Sequence, residues 1–129
     1  MARSKGAQRA ESGKQAHEAQ EREAVLVYYT SPRFESELKA LATDWKKTRQ
    51  QTSSSALKWA MHPSYQRIIG KGQAAIPFIL QELQREPDHW FWALHAITGH
   101  DPVPEGDQGD IAAMARAWIA WGKQRGYIH

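Results

Sequence analysis

From Ser31 to the C-terminal end, large apolar residues recur every three or four positions, and proline and glycine cut the runs they form. Such spacing draws one stripe along an α-helix and scatters over both faces of a strand. Phe34, Leu38, Leu41 and Trp45 form the first stripe, entered at Ser31-Pro32 with Ser as N-cap, Pro at the first helical position and Glu35 in the first turn, and running to about Gln51. Thr52-Ser53-Ser54-Ser55 breaks it, and Ala56–Met61 reads as one further turn with Leu57 and Trp59. A short helix opens at Pro63, carries Tyr65, Ile68 and Ile69, and stops at Gly70. Ala74–Glu86 follows with Ile76, Ile79, Leu80 and Leu83 on one face and Pro77 in its first turn. Pro87 ends that helix and Asp88 caps the next, His89–Thr98, which Gly99 closes. With a two-residue junction the pair reads as a tight antiparallel hairpin. Asp101–Gly106 reads as a stiff loop, and a last helix runs from about Asp107 to Gln124 with Ile111, Met114, Ala115, Trp118 and Trp121 on one face.

Against this, Val25–Thr30 is the single β-like run, and one strand makes no sheet. It reads as an extended arm or a helix end packed on the core. Residues 1–24 are Ala, Gln, Glu, Lys, Arg, Gly and Ser almost throughout, too polar to offset their ordering entropy, and are expected to form a flexible charged tail. The expected architecture is all-α: a single helical domain over residues 25–129, a compact bundle of about five helices, behind that tail. Trp90 and Trp92, two positions apart, point at different faces, so their helix is expected to be covered on both sides.

A chain of 129 residues, 41% apolar and 24% charged, suits one soluble domain. Without cysteine it forms no disulfide, thiolate metal site or cysteine nucleophile. No uncharged stretch approaches the ~20 apolar residues of a membrane helix, and the first residues lack the apolar core of a secretory signal. A cytoplasmic protein without cofactor or membrane attachment is the expectation.

Charge is uneven. Lys39–Gly72 carries seven basic residues against Asp44 alone, whereas Gln73–His129 carries four basic and seven acidic ones. The basic segment is either a solvated face or an attractor of phosphate, with Lys46, Lys47, Arg49, Lys58, Arg67 and Lys71 as the residues that would line a nucleic-acid groove. Gly70-Lys71-Gly72 lacks the order of a phosphate loop, although the helix start at Gln73–Ala75 beside Lys71 and Arg67 suits an anion. Among the histidines, His89 and His95 are six apart and cannot pair on one helical face as metal ligands. His95, His100 and Asp101 could converge as an acid–base or metal group, although caps and surface histidines are commoner, and no metal site is expected. Tyr65, Trp90, Trp92, Trp118 and Trp121 read mainly as core, with one or two rings left in part for a partner.

The hairpin Gly72-Gln73-Ala74-Ala75-Ile76-Pro77-Phe78-Ile79-Leu80 with Trp90-Phe91-Trp92-Ala93-Leu94-His95-Ala96-Ile97-Thr98-Gly99 resembles one HEAT-like helical unit. No second copy is visible, so no solenoid is expected. His62–Gly70, Pro87–Leu94, Thr98–Val103 and Ala117–Gly122 together resemble a family of small, tryptophan-rich, uncharacterised bacterial proteins over about 95 residues. That resemblance implies a fold and a bacterial setting and no mechanism.

The functional expectation is a non-enzymatic binding module for a bacterial protein partner, such as an accessory or antitoxin-like protein of a mobile element or defence locus. Tyr65, Arg67, Lys71, Trp90, Trp92, His100 and Asp101 are its expected partner-binding residues. The alternative is a nucleic-acid-binding accessory protein using the basic segment; a small hydrolase built on His95, His100 and Asp101 is the third reading.

Overall fold

The computed structural model describes Gln15, Ala16, Glu18, Gln20, residues 31–51 and residues 55–129, the side chains of residues 50 and 51 excepted. The chain divides into two units, Met1–Ser36 and Glu37–His129. The expected boundary at residues 24/25, the tail before it apart from Gln15, Ala16, Glu18 and Gln20, the arm at Val25–Thr30 and the break at residues 52–54 lie outside the described residues. Among the described residues the secondary structure is entirely helical: α1 (Pro32–Gln51), α2 (Ala56–Ala60), α3 (Pro63–Gly70), α4 (Ile76–Arg85), α5 (Phe91–Thr98) and α6 (Ile111–Gln124), with 3₁₀ turns at Gly72–Ala75 and Glu105–Asp107. The all-α expectation holds, as five longer helices and one short one.

Local chemistry explains the helix starts. Ser31 Oγ accepts the Phe34 N–H, Pro32 occupies the first helical position, and Phe34, Leu38, Ala42 and Trp45 are buried along α1. His62 Nδ1 accepts the Ser64 N–H ahead of Pro63 on α3, and Asp110 accepts the Ala113 N–H on α6. That cap sets the start of α6 at Ile111 rather than Asp107, because Glu105–Asp107 closes its own 3₁₀ turn first. Gly99 ends α5 at φ 70°, a left-handed conformation in which its N–H bonds the His95 carbonyl.

Within the second unit the core is an aromatic knot. Trp45 lies 4.6 Å from Trp90 and 5.0 Å from Tyr65, ring centre to ring centre, and Tyr65 stacks on Trp90 at 5.8 Å. All three rings are fully buried. Offset and tilted aromatic contacts of this kind add about 0.5–1.5 kcal/mol per pair beyond area burial. Trp45 Nε1 donates to the Trp59 carbonyl at 3.0 Å. The Arg49 guanidinium lies 4.7 Å over Trp45 and 5.6 Å from Trp59, and pairs with the buried Asp88 carboxylate.

That pairing changes the reading of Asp88. It braces Arg49 and accepts the His89 N–H, and it does not cap α5. The cap comes from another helix. Tyr65 Oη accepts the Ala93 N–H at 2.9 Å and donates to the His89 carbonyl at 3.1 Å, bridging the two groups that an ordinary helical bond would have joined directly. The helix therefore starts at Phe91, not His89, and the junction after α4 is Glu86–Trp90, longer than the expected two residues. Burial pushes the Tyr65 phenol well above its ordinary pKa, so it keeps the proton it donates.

The helices α4 and α5 touch, but α4 packs more heavily on α6 and α5 on α3. The α4–α6 crossing is close: a Cβ at Gly122 would stand 2.4 Å from Leu80 Cδ1. One expectation fails outright. Helix α5 is not covered on both sides, because Trp90 is buried just before it and Trp92 is 54% exposed.

Candidate functional site

The second unit carries an open, largely apolar groove of about 440 Å³. Phe91, Trp92 and His95 of α5 form one wall; Asp101, Gln108 and Gly109 of the following loop and Ile111, Met114 and Trp118 of α6 form the other; Ala56 and His89 complete the rim. Tyr65 lies under the floor, closed to solvent. The groove exists because α5 starts with four apolar residues in succession, Phe91-Trp92-Ala93-Leu94. At about 3.6 residues per turn four consecutive residues encircle a helix, so a helix with one wet side must show water one of them. Ala93 and Leu94 are buried, and Trp92 takes the exposed position.

The polar groups of the groove hold the loop in shape. Asp101 Oδ1 accepts the Val103 N–H at 3.1 Å and Oδ2 accepts from Gln108 Nε2 at 3.2 Å. His95 Nδ1 lies 3.0 Å from the His100 carbonyl, which can only accept, so Nδ1 carries a proton and Nε2 of the neutral ring is an acceptor. His89, half-buried and 4.6 Å from the Trp59 ring, has its pKa lowered, first by burial and then by the Arg49 charge, against the pull of Asp88.

The seven residues expected to meet a partner do not form one surface. Trp92 and Asp101 line the groove, with Tyr65 beneath it. Trp90 and Tyr65 have no exposed surface and act through the fold, a correction of their expected role as direct contacts. Arg67 and Lys71 line a separate hollow with Glu37, Asp44 and Ser64. His100 is exposed, its ring 6.0 Å from Trp121.

The six basic residues are likewise divided. Lys46 pairs with Glu82 at 3.1 Å, Arg49 with Asp88, and Lys71 with Glu37 at 2.7 Å. Lys46 and Lys47 line a hollow with Glu82, Arg85 and Glu86, and Lys58 is exposed on α2. The basic middle and the acidic C-terminal third thus offset each other's charge through Lys46–Glu82 and Arg49–Asp88. The α4 start offers no simple anion cradle either, since a 3₁₀ turn precedes it and Lys71 is bound to Glu37. Among the described residues no group of three or more His, Asp or Glu is placed to hold a metal ion, and no helix is long and apolar enough to cross a membrane.

Sequence reasoning put Ile111 and Met114 on a core stripe; both are half-exposed and face the groove. It assigned no role in the groove to Phe91, Gln108 or Ala56. The four-residue apolar run at the start of α5 was the available signal for it. No family model, curated protein or solved structure matches this chain.

Proposed function

We propose that this chain is a non-enzymatic helical binding module whose groove receives an apolar or aromatic segment of a protein partner. One observation carries the reading: Trp92 stands 54% exposed on the wall of an apolar groove, while Trp45, Trp90 and Trp118 are closed. A half-exposed indole beside a groove is the composition of an interface anchor. Two of the polar groups in the groove support binding rather than catalysis, since Asp101 and His95 hold loop atoms and neither activates the other through a hydrogen bond given by the geometry. The bacterial setting rests on the sequence resemblance, and the accessory or antitoxin-like role is part of the proposal alone.

Selection from displayed random peptides tests it. The expected outcome is enrichment of peptides with aromatic or leucine anchors whose binding is lost in Trp92→Ala and kept in Lys47→Ala. A selection yielding no Trp92-dependent binder contradicts the reading. The nucleic-acid reading draws less support, because Lys46, Arg49 and Lys71 are already paired. Gel shifts at two salt concentrations decide it: binding that falls steeply with salt would restore it.

A further inference from the structure

We infer that the groove selects a positively charged segment, a short peptide or helix whose apolar anchor lies on Phe91 and Trp92 and whose flanking Lys or Arg side chains meet the acidic wall. This rests on the binding-module reading and adds the chemistry of the partner. Between Glu86 and Ala115 the sequence holds six carboxylates and no Lys or Arg. Ala56, Tyr65 and Trp118 apart, every residue lining the groove comes from that stretch. Asp88 is already matched by Arg49. Asp101 lines the groove, and Glu105, Asp107 and Asp110 follow within ten residues on the same loop, next in sequence to the lining residues Gln108, Gly109 and Ile111. Among the described residues none of these four is in an ion pair given by the geometry, and Asp101, Glu105 and Asp110 are exposed. Like charges so close together sum their fields within a screening length of about 8 Å, and apolar walls focus that field into the groove.

The hydrogen-bonding capacity of the lining points the same way. With Nδ1 protonated toward the His100 carbonyl, His95 offers Nε2 as an acceptor. Gln108 directs Nε2 at Asp101 and the Val103 carbonyl, which leaves Oε1, another acceptor. Asp101 adds the remaining lone pairs of its carboxylate. With the His95 ring neutral, these three side chains therefore present acceptors and no spare donor, both amide hydrogens of Gln108 being directed at Asp101 and Val103. Such a site pairs with N–H groups of a cation and leaves an anionic ligand unpaired.

Three fluorescein-labelled amphipathic peptides of about three helical turns test the inference by anisotropy on the full chain. They share Leu and Trp anchors and differ only in flanking residues: Arg, Gln or Glu. The Arg peptide is expected to bind at least about tenfold tighter than the Gln peptide at low salt and to lose most of that advantage at high salt. Asp101→Asn combined with Glu105→Gln is expected to cut the advantage to about threefold or less. Glu105→Gln with Asp107→Asn, which leaves the Asp101 hydrogen bonds intact, should cut it as well. Equal binding of all three peptides, lost in Trp92→Ala, would overturn the charge inference and leave the groove reading standing. Tightest binding of the Glu peptide overturns it too. If no peptide binds at any salt concentration, the groove reading falls and this inference with it.

Discussion

Trp90 and Trp92 are separated by one residue, and the two regions they belong to could hardly differ more. Trp90 sits in a knot with Trp45 and Tyr65, every ring closed from water and Arg49 lying over the edge of it. Trp92 belongs to a groove of similar residues that stays open. What separates them is whether an element closes over the rings. The knot draws side chains from α1, α3 and the start of α5, with the Tyr65 hydroxyl bonding both His89 and Ala93. The groove has two walls, α5 on one side and the loop with α6 on the other, with Ala56 and His89 at the rim, and nothing described closes over them. Aromatic content therefore does not by itself identify a core; a ring becomes core when a third element covers it.

That contrast is open to attack by substitution. The largest effect is expected at the knot: Trp45→Ala should destabilise the fold by about 3–5 kcal/mol in urea unfolding. A cost similar to that of Trp92→Ala would dissolve the distinction, since Trp92→Ala should stay within about 0.5 kcal/mol. Next comes Gly122→Ala, which drives a methyl group against Leu80 where α4 crosses α6; about 1–3 kcal/mol is expected, and a neutral result would mean that Leu80 has room to turn aside. Tyr65→Phe leaves the Ala93 N–H without its acceptor and should cost about 1–3 kcal/mol, with faster amide exchange at Ala93 than in the parent chain. Unchanged exchange there would mean that α5 closes its own first turn.

The smallest effect is a pH dependence. Burial lowers the His89 pKa below 6.5, so the unfolded chain binds the proton more tightly than the folded one. Stability from this group is therefore complete above pH 6.5 and declines as pH falls from there to the depressed folded value, then levels off. His89→Gln should flatten that window. Glu82 acts lower down: burial alone would raise its pKa, but hydrogen bonds and charge from Arg85 and Lys46 bring it below 4.5. Its contribution is present above pH 4.5 and is lost as pH falls through the folded value. Glu82→Gln should flatten that lower window and leave the His89 one in place.

Much of the fold was legible in the residues. The Phe34–Leu38–Trp45 stripe, Pro32 and Pro63 at helix starts and Gly99 at a helix end are local signals, and local signals survive folding. The start of α5 was not legible, because its cap is a hydroxyl 28 residues away in sequence, on α3. The partner set was not legible as a surface, because residue type marks a side chain suited to contact and does not say which face it reaches. Three dimensions sent Arg67 and Lys71 to one hollow and Trp92 and Asp101 to another, and closed Tyr65 and Trp90 inside. The basic segment looked like a nucleic-acid surface for a related reason: its counter-charges, Glu82 and Asp88, lie more than thirty positions further along the chain, beyond the reach of a local charge count.

The central claim is that the open aromatic region binds and the closed one holds. Fluorine NMR of the chain labelled with 5-fluorotryptophan, titrated with the leucine- and tryptophan-anchored peptides, tests it ring by ring. The Trp92 resonance, and to a smaller extent that of Trp118, should shift in a saturable way, while Trp45 and Trp90 stay where they are. Shifts at Trp45 and Trp90 with Trp92 unmoved would contradict the account.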